Sequence, residues 1–191
     1  MLNGLILCGG ESSRLGIPKF TIQKNGVPLY QYWIEQLHSY CHKIYISSKR
    51  DINYPFQHPF IIYDQKTGTG PLEGIYQAFK LDQDSNWLVV AVDLVYAGQE
   101  DIQALVTNQS DDMEAVCFEN PDTKEPFPLL TIYNKSIFKN LKSEYNTDRK
   151  SAKQLLLHAK TRVLCHDNKF TTLGINTLEE LKKWKSTETS N

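Results

Sequence analysis

The sequence predicts a three-layer α/β/α sandwich on a mostly parallel, mixed sheet, and three observations carry that prediction. Strand-like and helix-like segments alternate along the chain. The segments 2–8 and 87–92 are apolar runs rather than alternating ones, as strands covered on both faces should be. At 191 residues, with 40% hydrophobic and 23% charged side chains, the chain has the length and composition of a soluble globular protein with a substantial core.

The first strand spans 2–8, and residues 20–23 read as a short extended piece turned by Asn25-Gly26. Over 28–40, Leu29, Trp33, Ile34 and Leu37 recur at helical spacing, with Pro28 suited to a first turn. Segments 43–47 and 60–63 read as strands, and 71–81 as a helix introduced by Thr67-Gly68-Thr69-Gly70. The apolar strand 87–92 stops at Asp93. A helix over 100–107 precedes strands at 114–118 and 128–133. Helices at 136–141 and 151–158, a strand at 162–165 and a final helix from Thr177 complete the order. Thr177 with Glu180 three residues on matches a capping box. One domain is expected over 1–185, with 186–191 a disordered tail.

Bulk properties exclude several classes. A net charge of −1 gives no global field for DNA or RNA, and Lys182-Lys183-Trp184-Lys185 reads as a solvated helix end. Neither nucleic acid nor a membrane is an expected partner. Cys8, Cys41, Cys117 and Cys165 form no Cys-x-x-Cys pair, so no disulfide framework is expected and a reducing cytoplasm fits. No apolar stretch has signal or membrane-spanning length, and a cytoplasmic location is expected.

The densest chemistry lies in residues 5–19. An apolar run ends in Gly9-Gly10, and Ser12, Ser13, Arg14, Gly16 and Lys19 follow in one short loop. Glycines let the backbone approach an anion and turn several N–H groups toward it. Arg14 offers a fork for two phosphate oxygens and Lys19 a compact charge at a second point. A Walker A loop would need Gly-Lys-Ser/Thr, and a dinucleotide fingerprint Gly-x-Gly-x-x-Gly running into a helix; neither is present. The loop is expected to hold a triphosphate.

Two further signals stand near it in the expected fold, because ligands gather beyond the carboxyl ends of parallel strands. Asp93 leaves an apolar strand, where a lone buried charge would be costly. It suits a divalent ion such as Mg²⁺, shared with substrate phosphates, better than a plain turn or cap. In Gly70-Pro71-Leu72-Glu73-Gly74, Pro71 opens a helix whose N-terminus faces whatever lies above Gly70, and the glycines allow close contact with a base or phosphate. Asp64 can accept hydrogen bonds from a ring N–H and amine, as guanine presents, or cap a turn; both readings stand. His38, Cys41 and His42 fall near one face of the expected first helix and read as a solvated face rather than a metal site. Glu125-Pro126 reads as a turn before a strand, with a place bordering the acceptor pocket as the alternative.

Taken together, Leu-x-Gly-Gly-x-Ser-x-Arg-Leu-Gly-x-Pro-Lys, then Gly-Pro-Leu-x-Gly-Ile, then an apolar strand ending in Asp resembles the molybdenum cofactor guanylyltransferases, the MobA family. Gly174-Ile175-Asn176-Thr177-Leu178-Glu179-Glu180-Leu181 resembles that family's closing segment. The resemblance runs in order along nearly the whole chain. It implies a Rossmann-like fold of the nucleotide-diphospho-sugar-transferase kind. It also implies nucleotide contacts at Leu7, Gly9, Gly10 and Lys19, Asp64 at the nucleotide site, and Mg²⁺ on Asp93. The short Arg14–Lys19 spacing and the Gly-Gly pair set it apart from sugar-nucleotide pyrophosphorylases and cytidylyltransferases. Three positions depart from the pattern. Val95 stands for a usual proline, Ser47-Ser48 for a favoured asparagine, and Glu73 for a usual alanine, where it is expected to point to solvent.

The expected activity is therefore Mg²⁺-dependent transfer of GMP from GTP to the terminal phosphate of molybdopterin, releasing pyrophosphate. Arg14, Lys19 and Asp93 would be catalytic, and Ser12, Ser13, Gly70, Pro71 and Leu72 would join the nucleotide contacts. Other proteins of the cofactor pathway are further possible partners. One alternative uses another NTP, such as CTP, or another phosphorylated acceptor; a second is a nucleotide-binding regulator without turnover.

Overall fold

The computed structural model describes residues 1–9, 14–50, 56, 58–66, 68–165 and 170–188. Gly10, Ser12 and Ser13 of the expected triphosphate loop lie outside the described residues.

The first half of the chain forms β1 (Leu2–Leu7), the short strands β2 (Gln23–Lys24) and β3 (Val27–Pro28), α1 (Leu29–Leu37), β4 (Ile44–Ser48), β5 (Ile61–Tyr63) and α2 (Pro71–Leu81). The second half adds β6 (Asn86–Ala91), α3 (Gln99–Thr107), β7 (Ala115–Glu119) and β8 (Pro126–Tyr133). It closes with α4 (Phe138–Tyr145), α5 (Ala152–His158), β9 (Thr161–Leu164) and α6 (Leu178–Glu188). Seven strands make one sheet in the order β5-β4-β1-β6-β8-β7-β9. β1 is central, parallel to β4 from Gly4↔Ile44 to Leu7↔Ser47 and to β6 from Leu2↔Asn86 to Leu7↔Ala91. β8 is antiparallel to both β6 and β7, and β9 is parallel to β7. The sheet is mixed and mostly parallel, as the sequence predicts.

Alternate strand residues feed two cores. Ile6, Ile46, Leu88 and Val90 meet Leu29, Trp33, Leu37, Ile102, Leu105, Leu181 and Trp184, so α1, α3 and α6 cover one face. Leu5, Leu7, Trp87 and Val89 meet Leu72, Ile75, Phe79, Leu141, Leu155 and Leu156, so α2, α4 and α5 cover the other. That period-two division of apolar strands makes three layers.

Several boundaries differ from expectation. The extended piece over 20–23 is instead a 3-10 turn over Lys19–Thr21 followed by β2. The Thr21 amide and hydroxyl both donate to Pro18 O, at 3.0 and 2.7 Å, which curls the chain there. Asn25 and Gly26, at φ 53° and 81°, make the two-residue hairpin turn between β2 and β3. α1 stops at Leu37 rather than residue 40, because the Tyr40 and Cys41 amides turn back to Leu37 O and the His42 amide donates to Leu2 O at 2.8 Å. His38, Cys41 and His42 thus lie in a turn and share no helix face. The expected helix over 136–141 is a 3-10 turn at Lys135–Ile137 leading into α4. α6 runs to Glu188, so residues 186–188, expected in a disordered tail, are helical. All four cysteines are free, and no described helix is long and apolar enough to cross a membrane.

Candidate active site

Four parallel strands end on one rim. β1 leads to Gly9, β6 to Asp93, β5 to Asp64, and β4 ends in the buried Ser47 and Ser48. The antiparallel β8 brings Leu129 to the same rim, one residue past the Val90↔Leu130 pair. Of the residues singled out from sequence, Leu7, Gly9, Lys19, Pro71 and Asp93 line one cleft of about 190 Å³. Leu129 and Asn176 line it too. Gly70, Pro71 and Leu72 line an adjoining cleft of about 300 Å³ with Leu129, Lys150 and Lys153. The Leu72 side chain is buried in the core, so only its backbone is free to meet a ligand. Arg14 stands exposed in its turn and lines neither cleft.

At the centre of the first cleft, Lys19 Nζ donates to Asp93 Oδ2 at 2.6 Å and to Asn176 Oδ1 at 2.7 Å. Local structure delivers each partner. The 3-10 turn buries Phe20 in the core and leaves its neighbour Lys19 facing the rim. The Asp93 segment is held by backbone bonds on three sides. Trp33 Nε1 donates to Val92 O at 3.2 Å, and the Val95 and Ile175 amides donate to Asp93 O at 2.9 and 3.2 Å. Lys24 Nζ donates to Val95 O at 2.6 Å. Val95 keeps the N–H that a proline would lack, and uses it on Asp93. Gly174 leaves room for the carboxylate, since a Cβ there would stand 2.7 Å from Asp93 Oδ2.

Asn176 directly precedes the expected capping box, Thr177 with Glu180. Glu180 Oε2 accepts from the Asn176 and Thr177 amides at 2.7 and 2.9 Å, and the Glu180 amide donates to Thr177 Oγ1 at 3.2 Å. The backbone bond from Asn176, outweighing some desolvation, holds the Glu180 carboxyl below the usual range. Cys8, beside the same cleft, is pushed well above the ordinary thiol range by burial and by the Asp93 charge, which makes it an apolar wall and not a nucleophile.

Asp64 stands at the other side of Gly9, whose added Cβ would lie 3.1 Å from Asp64 Oδ2. Ser47 Oγ donates to Asp64 Oδ1 at 3.2 Å. Burial raises the Asp64 carboxyl, with Ser47 opposing and the Glu73 charge adding to the rise. Gly70 has φ 61° and ψ −154°, a conformation that essentially only glycine adopts, and the first turn of α2 follows without a side-chain cap. Gly74 serves packing rather than a ligand. It is buried, and an added Cβ would press on Ser47 Oγ and stand 2.7 Å from Leu7 Cδ2.

Glu73 overturns its expectation. It is 1% exposed and points inward, where donors from 65–69, α2 and α4 satisfy it. Burial alone would raise its carboxyl, but the hydrogen bonds from Tyr145, Gln65, Gln77 and Thr69 win and hold it below the usual range.

Sequence reasoning did not single out Asn176, Leu129 or Ser47 as site residues. For Asn176 a signal existed, since the capping box fixes the residue just before it on the rim side of α6. Leu129 and Ser47 gave none, being ordinary strand residues until sheet order is known.

The residues present fit a hard divalent cation. Asp93 and Asn176 are oxygen donors, and both converge on the Lys19 ammonium as a stand-in cation.

A mostly parallel α/β sheet with a glycine-ended strand, a lysine, an aspartate and an asparagine on one rim cleft has the layout of a nucleotide site. The chain belongs to the MobA-like NTP transferase domain family, whose model matches residues 4–163, and it is a nucleotidyltransferase. It is 29% identical over 181 residues to the molybdenum cofactor biosynthesis bifunctional protein of Synechocystis, matching with 94% of its own length and about half (52%) of that protein. It is 26% identical to the probable molybdenum cofactor guanylyltransferase of Flavobacterium johnsoniae, over 94% of both chains. Its fold is similar to the crystal structure of molybdopterin-guanine dinucleotide biosynthesis protein A from Archaeoglobus fulgidus, with a TM-score of 0.78, 18% identity, and 99% and 100% of the two chains covered.

Proposed function

We propose that this chain transfers GMP from GTP to the terminal phosphate of molybdopterin, with or without molybdenum, in molybdenum cofactor biosynthesis. The observation that carries the reading is the Lys19–Asp93–Asn176 contact in a cleft walled by Leu7, Gly9 and Pro71. The names of the Flavobacterium and Archaeoglobus proteins support guanine and molybdopterin as substrates. Asp64 beside Gly9 supports guanine further, as an acceptor for its ring N–H and amine.

In the reaction, an acceptor phosphate oxygen forms a bond to the α-phosphorus of GTP. The bond from that phosphorus to the bridging oxygen breaks, and pyrophosphate leaves with the electron pair. The nucleophile is already ionised, so the chain need supply no base. Its work is alignment and charge neutralisation. Lys19 places positive charge at the α-phosphate, and Arg14, exposed outside both clefts, is assigned to the β- and γ-phosphates where they extend beyond the cleft. Leu7 and Gly9 border the phosphates and Gly70, Pro71 and Leu72 the base, while Gly10, Ser12 and Ser13, outside the described residues, are assigned to the nucleotide from the sequence. Asp93 and Asn176 would hold Mg²⁺, which when bound supplies charge neutralisation on phosphate oxygens.

The test is pyrophosphate release by purified protein with Mg²⁺, molybdopterin and each NTP in turn. Release with GTP is expected, and Lys19→Ala should lower it by about 10²–10³-fold. Release with CTP in its place would refute guanylyl specificity. GTP binding without release would make the chain a nucleotide-binding regulator.

A further inference from the structure

Glu73 is a buried anion satisfied by five neutral donors. Its Oε1 accepts from the Gln65 amide at 2.9 Å, the Lys66 amide at 3.3 Å and Gln77 Nε2 at 2.9 Å. Its Oε2 accepts from Thr69 Oγ1 at 3.1 Å and Tyr145 Oη at 2.6 Å. No ion pair reaches it among the described residues. A carboxylate in the first turn of α2 also gains from that helix's dipole. Removing water from a carboxylate is costly, so such a group persists only where its donors are fixed.

Three of those donors, Gln65, Lys66 and Thr69, belong to the segment joining Asp64 to Gly70 and Pro71. We propose that Glu73 is a positioning residue for nucleotide recognition, clamping that segment so that Asp64 at one end and Gly70-Pro71 at the other face the same ligand. The proposal rests on the reading of the rim clefts, together with Asp64, which lines neither but stands against Gly9, as the nucleotide site. Gln65 and Lys66 directly follow Asp64, so holding their amides fixes the direction in which the Asp64 carboxylate leaves β5. Thr69 directly precedes Gly70, whose glycine-only conformation turns the chain into α2.

Tyr145 is the anchor of the clamp. Its ring stacks on Tyr76 at 3.7 Å with planes 7° apart, so α4 and α2 hold the hydroxyl rigidly. Lys66 Nζ lies 4.9 Å and Lys150 Nζ 5.9 Å from the centre of the same ring. Lys150 lines the cleft that Gly70 and Pro71 border. One short hydrogen bond to a charged acceptor therefore ties the segment, through Glu73, to both α2 and α4.

Tyr145→Phe keeps the ring stack and removes this bond alone. It should weaken Mg·GTP binding, read by titration calorimetry, by about fivefold to tenfold, while kcat at saturating GTP stays within about twofold. In the nucleotide-free protein, the Gln65 and Lys66 amides should exchange with solvent about tenfold faster. Glu73→Gln, which keeps the shape but removes the charge that all five donors share, should lose at least as much as Tyr145→Phe in exchange protection and in affinity. Unchanged GTP affinity in both variants would overturn the proposal, as would equal losses in kcat and no change in KM. If wild type binds no NTP, the reading of the site fails and the clamp's role with it. If wild type binds GTP and the variants bind equally well, only the clamp fails.

Discussion

At the residue scale, the site depends on how closely backbone approaches a carboxylate. Gly174 lies against Asp93 with no space for a methyl group, since its Cβ would stand 2.7 Å from Oδ2 and 3.0 Å from Cγ. A carboxylate on a single short stem will rotate away before the surrounding sheet moves. Gly174→Ala should therefore break the 2.6 Å contact with Lys19 and misplace the carboxylate oxygen that the proposed reaction uses. The expected result is a loss of turnover of about 10–100-fold. Stability should change by less than about 1 kcal/mol, because the rest of the core is untouched. Steady-state assay and thermal unfolding of the same preparation separate the two effects, and wild-type turnover in the variant would contradict this account.

At the element scale, α2 carries two functions on one helix. Its N-terminus borders the clefts through Gly70 and Pro71, and its underside sits unusually close to β1 and β4 through Gly74. Alanine at 74 would gain about 1 kcal/mol of helix propensity. Its Cβ would however meet Ser47 Oγ and stand 2.7 Å from Leu7 Cδ2, both on strands with neighbours on each side. Overpacking of that kind costs typically 1–3 kcal/mol. Repulsion wins, and Gly74→Ala should be destabilised by about 1–2 kcal/mol in urea unfolding. Because Ser47 holds Asp64, weaker nucleotide binding should accompany the loss of stability. A variant as stable as wild type would show that α2 can lift without cost.

At the scale of the whole molecule, carboxylates make the fold sensitive to acid. Glu73 and Glu180 sit below the ordinary 4.5 and Asp82 below 3.8, Asp82 chiefly through the Ser85 side chain. A depressed carboxyl gives stability that is present above its unfolded value and lost as pH falls through its folded value. Asp64, raised from 3.8 chiefly by burial, has the opposite sign and is stabilising only when protonated. Glu73, Glu180 and Asp82, together with Glu125 and the exposed Asp112, all depressed, against one raised carboxyl should make the melting temperature fall as pH drops below about 4.5. Glu73→Gln should be less stable than wild type at pH 7 and converge on it in acid, because wild-type Glu73 is then neutral as well. Melting curves between pH 7 and 3 check this, and parallel acid slopes for the two proteins would contradict it.

The sequence alone determined the layers and the rim. Apolar strands such as residues 87–92, with period-3.6 helices between them, leave little besides a sheet covered on both faces, and parallel strands bring Gly9 and Asp93 to one edge. It determined the α6 capping box and the bounds of α2 as well, because caps and Pro at a first turn are satisfied within a few residues. Only the tertiary structure decided that Lys19 meets Asp93, 74 residues away, and Asn176, 157 residues away. It also decided that Glu73 turns inward, since its donors come from 65–69, Gln77 and Tyr145. Periodicity and turn chemistry are local and can be read along the chain. Whether a charged side chain faces water or the interior depends on which distant donors the packed layers bring within about 3 Å of it.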